Sequence, residues 1–327
     1  MGQTAAPIRH RPFLLLQVET WARPVRASLL LLAVLETAGP ASGMDLVNDT
    51  RLLLIGGPTV IPSAVTNRGS LEVRGARVDV RGRVTNLGLF RVTDAEVHFD
   101  APFANHGGYV SDPSDNYFSD LVIGPTGYLV GGAGDRFFVS GDLVSASENN
   151  TSWSTEQAAL IFHTGGDAQH SLSLTGSDLG PVPSGAIQNF AWGRLEIAAG
   201  NNLTLVDGNA TPGGALYAGE VVGAQLAGSS ATNISGAAGL AIYYDPALAG
   251  NAYLGGATYD LAAGGLLAPL GAPAVPLLDP LARVVLVLGI LATTLHPALR
   301  CRGFGAAHGS LQPGMDTRSQ HPGGNTP

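Results

Sequence analysis

Four asparagines, Asn48, Asn67, Asn86 and Asn105, stand 19 residues apart, and Gly69, Gly88, Gly107 and Gly127 follow at intervals of 19, 19 and 20. A fixed period of this size marks a chain built by stacking one small unit on the next, so the residues between the landmarks decide whether the period is structural. Counting from the position two after each asparagine, the second residue on is Leu52, Leu71, Phe90, Tyr109 and Leu129. The fourth is Leu54, Val73, Val92, Ser111 and Gly131, and the eleventh is Ile61, Val80, Phe99, Phe118 and Phe138. The fifteenth is Val65, Val84, Phe103 and Val122, with Asp142 breaking the column. Apolar residues two apart share one face of a strand, and here the same chemistry returns to the same slot in each turn.

These columns predict an all-β fold, a right-handed parallel β-helix (β-solenoid) with coils of about 19 residues. Each coil lays its strands on the one before, about 4.8 Å away, so inward slots must be apolar in every coil. Stacked asparagines can chain amide hydrogen bonds along such an axis. Ordinary turns also favour asparagine, but the apolar columns beside these four favour the ladder. Glycine at a corner is expected to supply a positive φ without steric cost. The repeat region is placed at 44–190, and 191–270 reads as continued solenoid or a β-rich cap, from short strands such as Arg194–Ile197, Asn202–Val206 and Leu240–Tyr244.

The two ends differ in kind from this body. Arg9, Arg11, Arg23 and Arg26 precede the apolar run Ala27–Leu35, and small residues follow at Ala38–Gly43. That is the layout of a secretory signal peptide, placed at 1–43, with an apolar run too short to span a bilayer. At the other end Val275, Pro276, Asp279 and Pro280 lead into the apolar stretch Val284–Leu295, which Arg300 and Arg302 stop. This segment, 271–302, reads as a hydrophobic helix with a sorting or anchoring role, and 303–327 as a disordered tail. Export, followed by residence at the cell-envelope surface or in the extracellular medium, is the expected localisation.

Composition narrows the partners. The chain has no lysine; all 17 basic residues are arginine. Between Met44 and Val275, 21 acidic residues face 9 arginines, a net of −12. Such a balance disfavours nucleic acid and anionic membranes. The single cysteine, Cys301, leaves the body without an internal disulfide, so stability must come from core and backbone ladder.

The short proline-containing motif, the apolar stretch and the basic stop resemble the C-terminal sorting tails of the PEP-CTERM class. The solenoid, the Asp112–Phe118 turn and the Ile242–Pro246 and Asn251–Gly256 segments strengthen that likeness. The resemblance implies export through secretion machinery, handling by an exosortase-like sorting protease, and a structural or adhesive role in the envelope or extracellular polymer matrix. It implies no catalytic residues.

Candidate sites remain to be weighed. Asp112, Asp115, Asn116 and Asp120 form the densest oxygen-donor cluster. Calcium takes six to eight such oxygens, so Asp112, Asp115 and Asp120 are candidate metal ligands and calcium the one candidate cofactor; a plain turn is the alternative. His98 and Asp100 flank Phe99 and are expected to point outward together, near His106. His163 and His170 lack metal-ligand spacing. Some parallel β-helices cleave polysaccharides, so the alternative function is a polysaccharide-active enzyme or a carbohydrate-binding module, with Trp192, Tyr243 and Tyr244 as sugar platforms. Without lysine, and with acids alternating with arginine on the outward positions, the non-catalytic reading is preferred.

Overall fold

The first coil runs through three short strands, Leu46–Asn48, Arg51–Ile55 and Thr59–Ile61, joined by tight corners. In the computed structural model, which describes residues 44–163 and 169–271, strands make up 53% and helical turns 4%. The chain is thus nearly all-β, with parallel strands in stacked sheets, as a β-solenoid requires.

Each strand of the first coil begins one face. On the first face Leu46–Asn48 pairs in parallel with Val65–Asn67, then Val84–Asn86, Phe103–Asn105, Leu121–Ile123 and Leu143–Ser145 follow in order. On the second, Arg51–Ile55 is followed by Ser70–Arg74, Leu89–Thr93, Gly108–Asp112 and Tyr128–Val130. The third carries Thr59–Ile61, Arg77–Val80, Glu96–Phe99, Asp115–Phe118 and Arg136–Val139. Ile61, Val80, Phe99, Phe118 and Val139 superpose through this register and are buried. Inside, Phe90, Phe99, Phe103, Tyr109, Phe118 and Phe137 form one aromatic column, with centroids as close as 4.5 Å between Phe99 and Phe103. Burying each such ring is worth about 1.5–3 kcal/mol.

Two slots in the sequence reading shift by one residue. Val139, not Phe138, lies on Phe118, and Leu121, not Val122, lies on Phe103. The break at Asp142 disappears for the same reason, because Leu143 is the residue stacked on Leu121. The corners around Gly124–Gly127 and Gly131–Asp135 change length. The strands slide to keep Phe137, Val139 and Leu121 buried, since a one-residue slip would turn every inward side chain to solvent.

The corner glycines also have another cause than the one expected. Gly69, Gly88 and Gly107 are absent from the positive-φ residues. A Cβ built on them would lie 1.9 Å from the Thr50 carbonyl oxygen, 2.0 Å from that of Gly69 and 2.1 Å from that of Gly88. Glycine is required there by the close approach of the preceding coil. The asparagine ladder is as expected: Asn48, Asn67 and Asn86 each donate Nδ2–H to Oδ1 of the next asparagine at 2.7 Å. Asn105 ends the ladder by donating to the Tyr128 carbonyl at 3.0 Å.

Among the described residues the second face stops beyond Val130, with one bridge from Val130 to Ser154. Parallel pairing continues on the other two faces. The third runs through Thr155–Phe162, Trp192–Ile197, Gly214–Val222, Leu240–Tyr244 and Leu266–Pro269. The first runs through Gln169–Leu174, Asn202–Asp207, Ser230–Ser235 and Tyr259–Ala262. Spacing here is irregular: 35 residues separate Ala159 from its partner Arg194, and 26 separate Arg194 from Glu220. The last two strands pair antiparallel, Tyr259 with Leu267 and Asp260 with Leu266, so the two faces close on each other. The segment 1–43 read as a signal peptide, the residues Val275, Pro276, Asp279, Pro280, Arg300 and Arg302 read as a sorting motif, and the tail 303–327 lie outside the described residues. Among the described residues no helix is long and apolar enough to cross a membrane.

Candidate functional site

Alternation along the third-face strands sends every second side chain outward, and the parallel register aligns those side chains into two adjacent columns. One holds Arg77, Glu96, Asp115 and Arg136; the other holds Asp79, His98, Tyr117 and Phe138. The charged column neutralises itself. Arg77 reaches Glu96 at 2.7 Å, and Arg136 binds Asp115 with both Nε, at 2.6 Å, and Nη2. The Asp115 carboxylate raises the Arg136 pKa through that hydrogen bond. His98 donates from Nε2 to Glu96 at 2.6 Å. This bond, helped by Arg77 and opposed by partial burial, holds the Glu96 carboxyl below its ordinary range.

The neighbouring column is a stack of rings. His98 lies on Tyr117 at 4.2 Å and 7°, and Tyr117 on Phe138 at 4.4 Å and 5°. His163 closes the stack edge-on, 5.8 Å from Phe138. Burial, and secondarily His170, lowers the His163 pKa. Burial first, and then Asp115 and Glu96, raise the pKa of Tyr117. Aromatic faces that stack on one another show only their edges to solvent, and a sugar ring needs a face. The column therefore stiffens the third face more than it offers a platform. Two open depressions lie beside the charged column. One, of about 430 Å³, is lined by Arg77, Asp94, Glu96, Pro113 and Asp115; the other, of about 600 Å³, by Arg136, Glu156, Arg194, Glu220 and Leu248.

The acids proposed for calcium separate in the fold. Asp112 ends a second-face strand and is exposed, whereas Asp115 starts a third-face strand and is held by Arg136. Asp120 lies past the far end of that strand and accepts from the Asp142 backbone N–H at 3.0 Å. Among the described residues no three acidic, histidine or cysteine side chains gather as metal ligands. Asn116 is buried instead, accepting from the Tyr109 hydroxyl at 2.6 Å and donating to Ser111 at 2.9 Å.

His98 takes Glu96 as its acid partner, where the sequence suggested Asp100. His106 is exposed on the opposite corner. His170 is buried between the Gly141 carbonyl and Asn201 Oδ1, both at 2.8 Å, a structural role. Trp192, Tyr243 and Tyr244 are 3%, 4% and 0% exposed, which removes them as sugar platforms. Tyr243 donates to Asp178 at 2.9 Å, and Tyr217 to the Gly180 carbonyl at 2.9 Å. Through these bonds the segment 175–191 lies across the outside of the third face and covers a small cluster of Ala191, Ala215, Tyr217, Ala241 and Tyr243.

One buried acid escaped the sequence reading. Asp135, 2% exposed, accepts from the N–H groups of Ser114 at 2.9 Å and Gly132 at 2.7 Å, and from the Ser111 hydroxyl. Burial raises its pKa against these three bonds. Its position between Gly134 and Arg136 looked like an ordinary corner; only the residues of the previous coil show that it ties two corners together. Compared with protein-family models, curated proteins and solved structures, the chain has no match.

Proposed function

We propose that this chain is a non-catalytic structural or adhesive protein of the cell surface or extracellular matrix. In this reading it is a right-handed parallel β-helix, exported through the segment 1–43 and sorted by an exosortase-like protease acting on 271–302. A β–crossover–β connection in one sheet is right-handed in nearly all cases, which supports the hand.

The observation that carries the role is the outer surface of the third face, where charges and rings are spent on one another, coil after coil. Groups committed in this way stiffen a rod. Because the charges are already paired, the adhesive partner that fits best is a hydroxyl-rich extracellular polysaccharide, held by many weak polar contacts along the open depressions. The alternative of a polysaccharide-cleaving enzyme would draw on His98 and on Glu96, which lie 2.6 Å apart and of which Glu96 lines the smaller depression.

The test is to incubate the stack, residues 44–271, with neutral and acidic extracellular polysaccharides. Retention of polymer with unchanged chain length is the expected result. Release of new chain ends, abolished by His98→Ala, would overturn the non-catalytic reading. For the ends, the intact mass of the native protein should correspond to a chain lacking 1–43 and the residues past the sorting motif; a secreted chain retaining Val284–Pro327 would remove the sorting argument.

A further inference from the structure

Trp192, Tyr243 and Tyr244 are buried, and the rings on the third face cover one another. One tyrosine on the second face is placed differently. Tyr128 begins the strand Tyr128–Val130, and its register partner one coil earlier is Gly108. A Cβ built on Gly108 would lie 2.5 Å from the Tyr128 hydroxyl oxygen, 2.6 Å from its Cζ and 3.1 Å from its Cε2. An approach in the plane of the ring would bring a Cε atom closest. Here the oxygen and Cζ are closest and nearly equal, so the glycine lies beneath the flat of the ring, and it is buried there.

The equivalent positions of the two preceding coils, Ser70 and Leu89, carry side chains. Glycine at 108 is what lets the phenol ring lie down on the sheet. One flat side rests on Gly108, the other is turned to the exterior, and Tyr128 as a whole is half-buried.

The ground around the ring is apolar on one side and cationic on the next. Leu89 pairs with Gly108, and Val110 and Val130 stand two residues along their strands; all three are half-buried. Beside Val110 is Arg91, which is exposed. From Gly108 it is one strand across and two residues along, about 4.8 Å and about 7 Å, a span its long side chain can close. Its register neighbour Glu72 is held by Arg51 and Arg74. Among the described residues Arg91 itself has no ion pair. Asp112 lies past Val110, on the side away from Tyr128.

This ground has the size of a sugar ring. A protein partner would draw on some 20–30 residues a side, and here four apolar side chains and one arginine form the patch. The electron-rich flat of a tyrosine suits the C–H side of a pyranose. A free guanidinium suits a planar carboxylate, which it can bind through two parallel hydrogen bonds. We propose that the patch binds an acidic sugar, a uronate unit of an extracellular polysaccharide, with the pyranose on Tyr128 and its carboxylate on Arg91. The site is separate from the depressions of the third face; it deepens the adhesive reading and rests on it.

The experiment is calorimetric titration of the full chain with hexagalacturonate and with its methyl ester, which keeps the rings and loses the charge. Binding of the acid is expected, with the ester about tenfold weaker. Tyr128→Leu should weaken the acid about tenfold, and Arg91→Gln should bring the acid down to the level of the ester. Gly108→Ala keeps the tyrosine but lifts its ring, and should weaken acid and ester together. The new Cβ meets only the far end of that side chain, so its circular dichroism spectrum should match the parent's. Acid and ester bound alike, or affinities unmoved by these three substitutions, would overturn the site and leave the adhesive reading standing. A chain that retains polymer but binds neither hexasaccharide would do the same. A chain that binds no saccharide in either test would overturn both.

Discussion

The first five coils and the later ones solve the same problem by different means. In the early coils three faces enclose an aromatic column, an asparagine ladder runs up one corner, and glycines let the coils touch at the next. In the later ones two faces remain, coil length varies, and a strap held by Tyr217 and Tyr243 covers what would be an outer sheet surface. Identical coils can satisfy their backbone and side chains with identical neighbours, as in any repeat stack. Unequal coils need individual solutions, and each is visible as a buried polar side chain with partners of its own, such as His170, Asn233 or Asn251.

The contrast can be broken most sharply at a corner. Gly88→Ala puts a Cβ 2.0 Å from the Gly69 carbonyl oxygen. Relief demands movement of two backbones, so a loss above about 4 kcal/mol is expected, at the exceptional end for single substitutions. Gly132→Ala meets only Asp135 Oδ2 at 3.9 Å and should cost less than about 0.5 kcal/mol. Urea unfolding of the two variants checks both; similar midpoints would refute the close-approach account.

A smaller effect is expected in the ladder. Asn86→Ala removes bonds to Asn67, Asn105 and Gly108. At about 1 kcal/mol per bond the cost is near 3 kcal/mol. Asn251→Ala, in the later coils, removes bonds to Val221, Gly219 and Asp245 and should cost a similar amount. The distinction lies in where protection falls. Hydrogen exchange should quicken across several coils around Asn86 but stay local around Asn251.

Tyr243→Phe deletes only the bond to Asp178, an expected loss of about 1 kcal/mol. Exchange at Leu179 and Gly180 should rise while the early coils keep their rates. The smallest effect is that of pH on Glu72. Burial would raise its carboxyl pKa, but Arg51 and Arg74 outweigh that and hold it below 4.5. A depressed folded-state pKa stabilises above the unfolded value and is lost as pH falls through the folded one. Glu72→Gln should therefore lower the melting temperature at neutral pH and match the parent in acid.

The fold was legible where coils repeat. Leu71, Phe90 and Tyr109 lie in one column in the sequence because they lie in one column in space. Legibility failed first by a single residue, at Phe138 and Val122, where corner length changed and burial chose the register. The candidate site was legible in part. His98 and Asp115 were singled out from the sequence, but the partner of His98 is Glu96, two residues back on the same strand, and that of Asp115 is Arg136 of the next coil. Asp112 and Asp120, close in sequence, are carried to different corners.

What the sequence alone determined, then, is the period, the alternation and hence the stacking of the early coils, because every coil experiences the same neighbours and so repeats the same residues. Tertiary structure alone decided three things: the buried acid at Asp135, the strap over Tyr217 and Tyr243, and the closure of the last coil on itself. The acid and the strap depend on residues from different coils meeting in three dimensions, and the closure on the strands its two members already stack upon; no local periodicity records where an unequal coil will bring them.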